Sequence, residues 1–214
     1  MFALCHALAV CLGRLRGVHT DIGGEQGQTG GRIVVLGMGL LTRQDQATKD
    51  ASDILGRLWA NESGDLGIPI DVVRIARKLG IDVLDVEMDQ GISGAIVKEL
   101  NADPMIMLNQ SDSSNRKRFT CAHEIGHYVR RSQEGSPDYA YLDRRGPLAA
   151  QGSDEGEVYA NKFAASLLMP ELEVKRRFKK DATVVALAVE FLVSEDAMNF
   201  RLQNLGLVSA GRSL

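Results

Sequence analysis

Two histidines four positions apart, His123 and His127, enclose a glutamate, Glu124, in the segment His-Glu-Ile-Gly-His. On a helix, residues four apart project from one face, so both imidazoles can reach one small cation at about 2.0–2.1 Å. Glu124 lies beside the first histidine, where a carboxylate can take a proton from water held by that cation. The chain has four histidines, and two of them fall in this pattern. The spacing therefore predicts a catalytic metal site rather than a surface helix with incidental histidines.

A catalytic zinc site needs a third protein ligand and an open position for water. Residues 154–169 have the spacing of a helix, on which Glu157 shares an inward-facing stripe with Ala160 and Asn161. A carboxylate on such a stripe needs a positive partner, and a metal ion provides one. Asn161 lies one turn later and can orient a metal-binding histidine by accepting its free ring N–H. Glu157 is the predicted third ligand, with Asn161 behind a histidine.

Other acidic residues at the start of the same helix stay open as ligands. Asp154 and Glu155 lie off the stripe or nearer the preceding loop. All the acids of this turn, Glu157 included, have an alternative role as favourable charges at a helix N-terminus.

The chemistry expected of this site is hydrolysis of a peptide bond. Zinc held by two neutral imidazoles and a carboxylate lowers the pKa of a bound water to about 7, and Glu124 then acts as the general base. A second donor usually stabilises the oxyanion. Four tyrosines are candidates, and the sequence does not choose among Tyr128, Tyr159, Tyr139 and Tyr141.

Mixed nitrogen and oxygen ligands favour Zn²⁺, with Mn²⁺ or Fe²⁺ as alternatives. Cys121 is two residues before His123 and therefore about 200° around the helix, which predicts a core residue rather than a ligand.

The elements that must position these residues are mainly helices. Apolar residues at helical spacing predict helices over 42–60, 71–79, 118–131, 154–169, 183–192 and 194–204. Short β-branched or apolar runs at 81–86, 93–98 and 105–109 predict a small antiparallel three-stranded sheet. The segment 132–153 has no apolar period and is predicted to be a long loop, of the kind that is functional or mobile. The predicted fold class is α+β and mainly helical.

Composition excludes several classes of protein. The 214 residues are 44% hydrophobic and 25% charged, which suits one well-buried core plus a small appendage. A net charge of -3 argues against wholesale phosphate neutralisation, and no apolar run approaches the roughly 18 to 20 residues of a membrane span. Three cysteines without a spaced framework fit a reducing compartment, so we expect a cytoplasmic protein.

Residues 1–41 are predicted to be an extension outside the fold, either disordered or a mis-assigned start with Met38 as the true beginning. Residues 2–13 resemble the apolar region of a signal peptide, but Arg14 and Arg16 follow this run instead of preceding it. A cleaved export signal is therefore the weaker alternative.

Three segments of the chain resemble the ImmA/IrrE-type metallo-endopeptidases. They are Arg-Phe-Thr-Cys-Ala-His-Glu-Ile-Gly-His-Tyr at 118–128, Glu-Val-Tyr-Ala-Asn-Lys-Phe-Ala-Ala-Ser-Leu-Leu-Met-Pro at 157–170, and the ending at 191–207. The resemblance covers roughly residues 44–207. It implies that His123, His127 and Glu157 bind zinc and that Glu124 is the catalytic carboxylate.

The resemblance also implies the substrate and the biological role. Typical substrates in this family are helix-turn-helix repressors of the Xre type, whose cleavage derepresses a mobile-element or stress-response operon. Some relatives add an N-terminal Xre-type domain or a C-terminal sensor domain, and neither pattern is found here. The chain is therefore expected to be a minimal protease, whose repressor is encoded nearby.

After residue 41, the chain is predicted to consist of three parts. Residues 42–180 are predicted to form a zincin-like zinc peptidase domain and 181–208 a C-terminal helical pair, similar to a helix-turn-helix, packed on that domain. Residues 209–214 are predicted to be a tail.

Two other functions stay open as alternatives. A DNA-binding regulator would use the pair 183–192 and 194–204, but the second helix begins with Glu195 and Asp196 and has Arg201 as its only basic residue. The basic run 175–180 is more often a solvated face than a nucleic-acid site, so no direct nucleic-acid binding is expected. The other alternative is a non-catalytic protein that binds a repressor and keeps a metal site.

Overall fold

The computed structural model describes residues 43–99, 102–135, 155–178 and 183–209, and the backbone of 139–144. Within these ranges the chain forms seven helices and one sheet of four strands. The helices are α1 (Arg43–Leu58), α2 (Val72–Lys78), α3 (Ser114–Glu134), α4 (Glu155–Leu168), α5 (Glu171–Arg177), α6 (Val184–Phe191) and α7 (Glu195–Asn204). The strands are β1 (Asp82–Val86), β2 (Ile92–Lys98), β3 (Met105–Asn109) and β4 (Tyr139–Arg144). The predicted α+β, mainly helical class is confirmed.

The extension predicted for residues 1–41 lies outside the described residues, as does most of the predicted tail. None of the described helices is both long and apolar enough to cross a membrane.

The helix that carries the motif is longer than its apolar pattern predicted. The side chain of Ser113 accepts a hydrogen bond from the backbone N–H of Arg116, and Gly135 ends the helix in the left-handed conformation at φ 72°. The prediction placed the start at residue 118 because the polar residues 114–117 show no apolar period. Capping by Ser113 begins α3 one turn earlier. This turn includes three side chains that bind groups outside the helix: Asn115 donates to the backbone oxygen of Val193, Arg116 donates to Ser93 of β2, and Lys117 pairs with Asp85 of β1.

The sheet differs from the predicted one in number of strands and in direction. Its order is β1-β3-β2-β4; β2 is antiparallel to β3 and β4, but β1 and β3 are parallel. The prediction of three antiparallel strands was wrong. A meander would place β2 between β1 and β3, whereas here β3 lies between β1 and β2 and is parallel to β1. The fourth strand, β4, lies in the segment predicted to be a loop. Its Tyr-Ala-Tyr-Leu alternation at 139–142 was the available signal.

The helices are stacked on the sheet in layers. α4 packs along α3 on one side and along α1 on the other, and α3 packs on β2 and β3. Large apolar side chains from these layers are fully buried in one cluster, including Phe163, Leu167, Ile125 and Ile106. The two helices α3 and α4 are therefore held at the centre, between the sheet and α1.

The C-terminal helices share this core. Phe191 of α6 and Met198 of α7 are fully buried in the same cluster. The side chain of Arg118 on α3 donates to the backbone oxygens of Leu192 at 3.1 Å and Ile70 at 2.9 Å. Arg201 on α7 is 3% exposed and donates to the backbone oxygen of Met169 at 2.9 Å. These contacts join α6 and α7 to α3 and to the end of α4. The helix-turn-helix likeness and the domain boundary at residue 180 stay predictions.

Candidate metal centre

The structure brings three of the predicted ligands together between α3 and α4. His123 and His127 lie one turn apart on α3 and face Glu157 in the first turn of α4. The Nε2 atoms of the histidines are 2.9 Å apart. The carboxylate oxygens of Glu157 lie 3.4 Å from Nε2 of His123 and 3.3 Å from Nε2 of His127. These side chains form a group able to hold a metal ion, with ligand atoms within 4.8 Å of one another.

The donor set fits a divalent cation. Atoms bound tetrahedrally at about 2.0–2.1 Å from zinc lie about 3.3 Å apart. The two nitrogen–oxygen separations, each to a different oxygen of Glu157, match this spacing, whereas the nitrogen–nitrogen separation of 2.9 Å is shorter. Two imidazoles and one carboxylate form one of the ligand sets of catalytic zinc, which leaves a fourth position for water or substrate. Both histidines are 2% exposed, whereas the side chain of Glu157 is 19% exposed. Because these side chains are largely shielded from solvent, the attraction between a cation and the carboxylate is stronger here than in bulk water.

The charge state of Glu157 suits metal binding. Burial alone raises the pKa of this carboxyl group, but hydrogen bonding to His123 and His127 and attraction to their rings lower it more. The net pKa lies well below the ordinary value of a glutamate. Glu157 is therefore a carboxylate at neutral pH, the form that a metal ligand must have.

Asn161 contacts the back of the first histidine. Its Oδ1 lies 3.0 Å from Nδ1 of His123. An amide oxygen only accepts, so the contact requires the proton of a neutral His123 to be on Nδ1. The lone pair of Nε2 then points towards His127 and Glu157, as metal binding requires.

Glu124 and Cys121 both lie on the buried side of α3. Glu124 directly follows His123 and is fully buried. Burial raises the pKa of the Cys121 thiol to about 12, and the charge of Glu124 adds to this rise. Cys121 is therefore a protonated core residue and lies outside the group of possible ligands, as expected from its position on the helix.

Tyr159, one of the predicted oxyanion donors, binds a different helix. Its hydroxyl donates to Oδ2 of Asp50 on α1, and its pKa is raised by burial and by this hydrogen bond. Gln133 of α3 also donates to Asp50, at 3.2 Å. Tyr128 is half-buried against the core. No described contact joins either tyrosine to the ligand group, so neither gains support as an oxyanion donor.

Glu155 is exposed at the start of α4 and lies outside the ligand group, and Asp154 lies outside the described residues. The side chains of Tyr139 and Tyr141 are also outside them.

Sequence reasoning missed Asp50, a buried carboxylate that joins α1 to α4. The signal was present, because Asp50 lies on the same helical stripe as Ala47, Ala51 and Ile54, all of which are buried. Asp50, like Glu157, is a carboxylate on an inward-facing stripe, and its partners are the side chains of Tyr159 and Gln133.

Comparison with known proteins agrees with this geometry. The sequence model of Peptidase_M78, described as the IrrE N-terminal-like domain, matches residues 76–203. The chain belongs to this family. Its function is therefore of the metallopeptidase type, and its substrate is a protein. The matched region of this Peptidase_M78 member includes all three possible ligands and ends inside α7, but it does not include α1. A search of curated proteins gave no match.

Proposed function

We propose that the chain is a zinc-dependent endopeptidase that cleaves an Xre-type helix-turn-helix repressor encoded nearby. The observation that carries the catalytic part is the convergence of His123, His127 and Glu157 from two packed helices in a Peptidase_M78 domain. The repressor rests on the resemblance to ImmA/IrrE-type enzymes. Its cleavage would derepress a mobile-element or stress-response operon, and such a substrate places the enzyme in the cytoplasm.

The proposed mechanism divides the work among four residues. The cation would be held by Nε2 of His123, Nε2 of His127 and the carboxylate of Glu157. When bound, the metal acts as a Lewis acid that polarises the scissile carbonyl and lowers the pKa of water to near neutral pH. Glu124 accepts the proton of the attacking water and passes it to the leaving nitrogen. Asn161 fixes the proton on Nδ1 of His123 and so the direction of that ring. Zn²⁺ suits these ligands best; Mn²⁺ and Fe²⁺ are alternatives.

Cleavage of the purified repressor, with and without a metal chelator, tests this function. We expect a fragment that disappears with the chelator and returns when Zn²⁺ is added. The variant Glu124→Gln should retain zinc by elemental analysis and lose the fragment, because the amide cannot accept the proton. Removing a general base typically costs about 10²–10⁴-fold in rate.

The matched control is Glu155→Gln, which changes an exposed glutamate of α4 outside the ligand group. It should cleave like the wild type. Full activity of Glu124→Gln would contradict the general-base role. An intact repressor that copurifies with the wild type would instead support a binding protein without catalysis.

A further inference from the structure

The two ligand-bearing helices approach each other closely at Gly126. A Cβ atom built at this position would lie 3.0 Å from Cα of Ala160 on α4. It would also lie 3.2 Å from Cδ1 and 3.3 Å from Cβ of Phe163. Carbon atoms in ordinary contact are about 3.5–4.0 Å apart. Glycine therefore lets α3 and α4 come closer than an alanine at this position would.

This contact lies at the centre of the candidate metal site. Gly126 follows His123 by three residues and precedes His127 by one. Ala160, on the facing helix, follows Glu157 by three residues and precedes Asn161 by one. The possible ligands and the partner of the first histidine therefore all lie within one helical turn of the contact.

We propose that Gly126 is a positioning residue that sets the distance between α3 and α4 and thereby the affinity of the site for its metal ion. The proposal deepens the proposed function, because it rests on metal binding by His123, His127 and Glu157. A shift of α4 by a few tenths of an ångström would move Glu157 away from the histidines. Metal–ligand distances tolerate only about 0.2 Å, so this shift weakens binding.

The surroundings of Gly126 do not allow the overlap to be relieved locally. The nearest atom belongs to the backbone of Ala160, which no change of rotamer can move. Phe163 is fully buried, so its ring has no free space to enter. Relief of the overlap therefore requires a shift of a few tenths of an ångström between the backbones of α3 and α4. Alanine also favours a helix over glycine, and this gain offsets part of the strain in the folded protein. We therefore expect Gly126→Ala to weaken metal binding more than it lowers the free energy of unfolding.

The experiment compares Gly126→Ala with Gly56→Ala, both in the full chain. Gly56 is on α1, and a Cβ built there has no atom within 4 Å, so this control adds the same methyl group to a helix without overlap. The zinc dissociation constant is measured with Zn²⁺ alone, by competition with a chromophoric chelator. Urea unfolding of the metal-free proteins gives their stability. We expect zinc binding by Gly126→Ala to be at least about tenfold weaker, with Gly56→Ala equal to the wild type.

Two further outcomes decide the proposal. A folded Gly126→Ala that binds zinc within about twofold of the wild type would overturn it. If that variant does not fold, Phe163→Leu is compared with the double variant Gly126→Ala/Phe163→Leu. The overlap with the aromatic ring is then removed, whereas the close approaches to Cα of Ala160 and to Cβ at position 163 are left. A tenfold difference in zinc affinity between these two variants supports the proposal, and equal affinity refutes it. Absence of zinc binding by the wild type would instead refute the proposed metal site itself.

Discussion

The imidazole of His123 presents its two nitrogens to different neighbours. Nδ1 lies 3.0 Å from Oδ1 of Asn161, and Nε2 lies 3.4 Å from the carboxylate of Glu157. Because Asn161 comes from the same helix as Glu157, one element supplies both a possible metal ligand and the acceptor that fixes the tautomer. The position of α4 thus determines two properties of the site at once.

Removing this acceptor should weaken metal binding. We expect Asn161→Ala to raise the zinc dissociation constant about 10–100-fold, because His123 loses the hydrogen bond that fixes its ring and tautomer. Competition with a chelator measures this change. Asn161→Asp keeps an oxygen acceptor and should retain most of the affinity. Equal affinity of the alanine variant and the wild type would contradict this role for Asn161.

The convergence of His123, His127 and Glu157 could be predicted from the sequence, whereas the contacts of the tyrosines could not. His123 and His127 share a face by their spacing alone, and Glu157 follows from a carboxylate on an inward stripe. The direction of a tyrosine hydroxyl depends instead on the helix opposite it. Tyr159 donates to Asp50, more than a hundred positions earlier in the chain, and no local pattern contains that pairing.

Helix α4 makes polar contacts on two faces. Glu157 and Asn161 face the histidines of α3, whereas the hydroxyl of Tyr159 binds Asp50 and the Ser166 hydroxyl lies 3.3 Å from that of Thr48. Asp50 and Thr48 belong to α1, which lies outside the region matched by the family. α1 therefore fixes the rotation of the helix that carries the third possible ligand.

A substitution at Tyr159 separates a structural role from a catalytic one. Tyr159→Phe removes a donor from Asp50, which is 7% exposed, and we expect the free energy of unfolding to fall by about 1–3 kcal/mol. The kcat of Tyr159→Phe for repressor cleavage should stay within about twofold of the wild-type value. Urea unfolding and cleavage rates measure the two quantities.

The control variant is Tyr128→Phe, which removes the same hydroxyl group from a half-buried tyrosine. The structure gives no hydrogen bond between Tyr128 and Asp50. A fall in kcat of Tyr159→Phe by about 10²-fold at unchanged stability would restore Tyr159 as an oxyanion donor.

Elements with long apolar periods were predictable, and those defined by distant pairing were not. The stripe Ala47, Ala51, Ile54 and Leu55 predicted α1, and all four residues are buried. The parallel pairing of β1 with β3 depends on which edge of β3 receives β2, and the strand sequences do not encode this choice. β4 was missed because six residues within a polar segment give a weak period.

On the scale of the whole molecule, four described basic residues of the C-terminal third contact groups of the chain itself. Lys175 pairs with Glu171 at 2.5 Å, Arg176 with Glu173 at 2.7 Å, and Arg177 with both Glu173 and Glu190. Arg201 is buried. Since nucleic-acid binding draws on cations that are free to meet phosphates, the burial of Arg201, the one basic residue of α7, argues against α7 as a DNA-recognition helix.

Arg201 distinguishes a peptidase from a DNA-binding regulator experimentally. As the one basic residue of α7, it would contact DNA if α7 were a recognition helix, and Arg201→Gln would then weaken operator binding without loss of stability. From its burial and its bond to the backbone oxygen of Met169, we expect the opposite. The free energy of unfolding of Arg201→Gln should fall by about 1–3 kcal/mol. Neither the wild type nor Arg201→Gln should bind operator DNA more tightly than about 10⁻⁵ M at physiological salt.

The control is Arg176→Gln, at a side chain that is 60% exposed. Its free energy of unfolding should stay within about 0.5 kcal/mol of the wild-type value. Urea unfolding and fluorescence anisotropy with labelled DNA measure both effects, and tight, salt-dependent DNA binding lost in Arg201→Gln would favour the regulator.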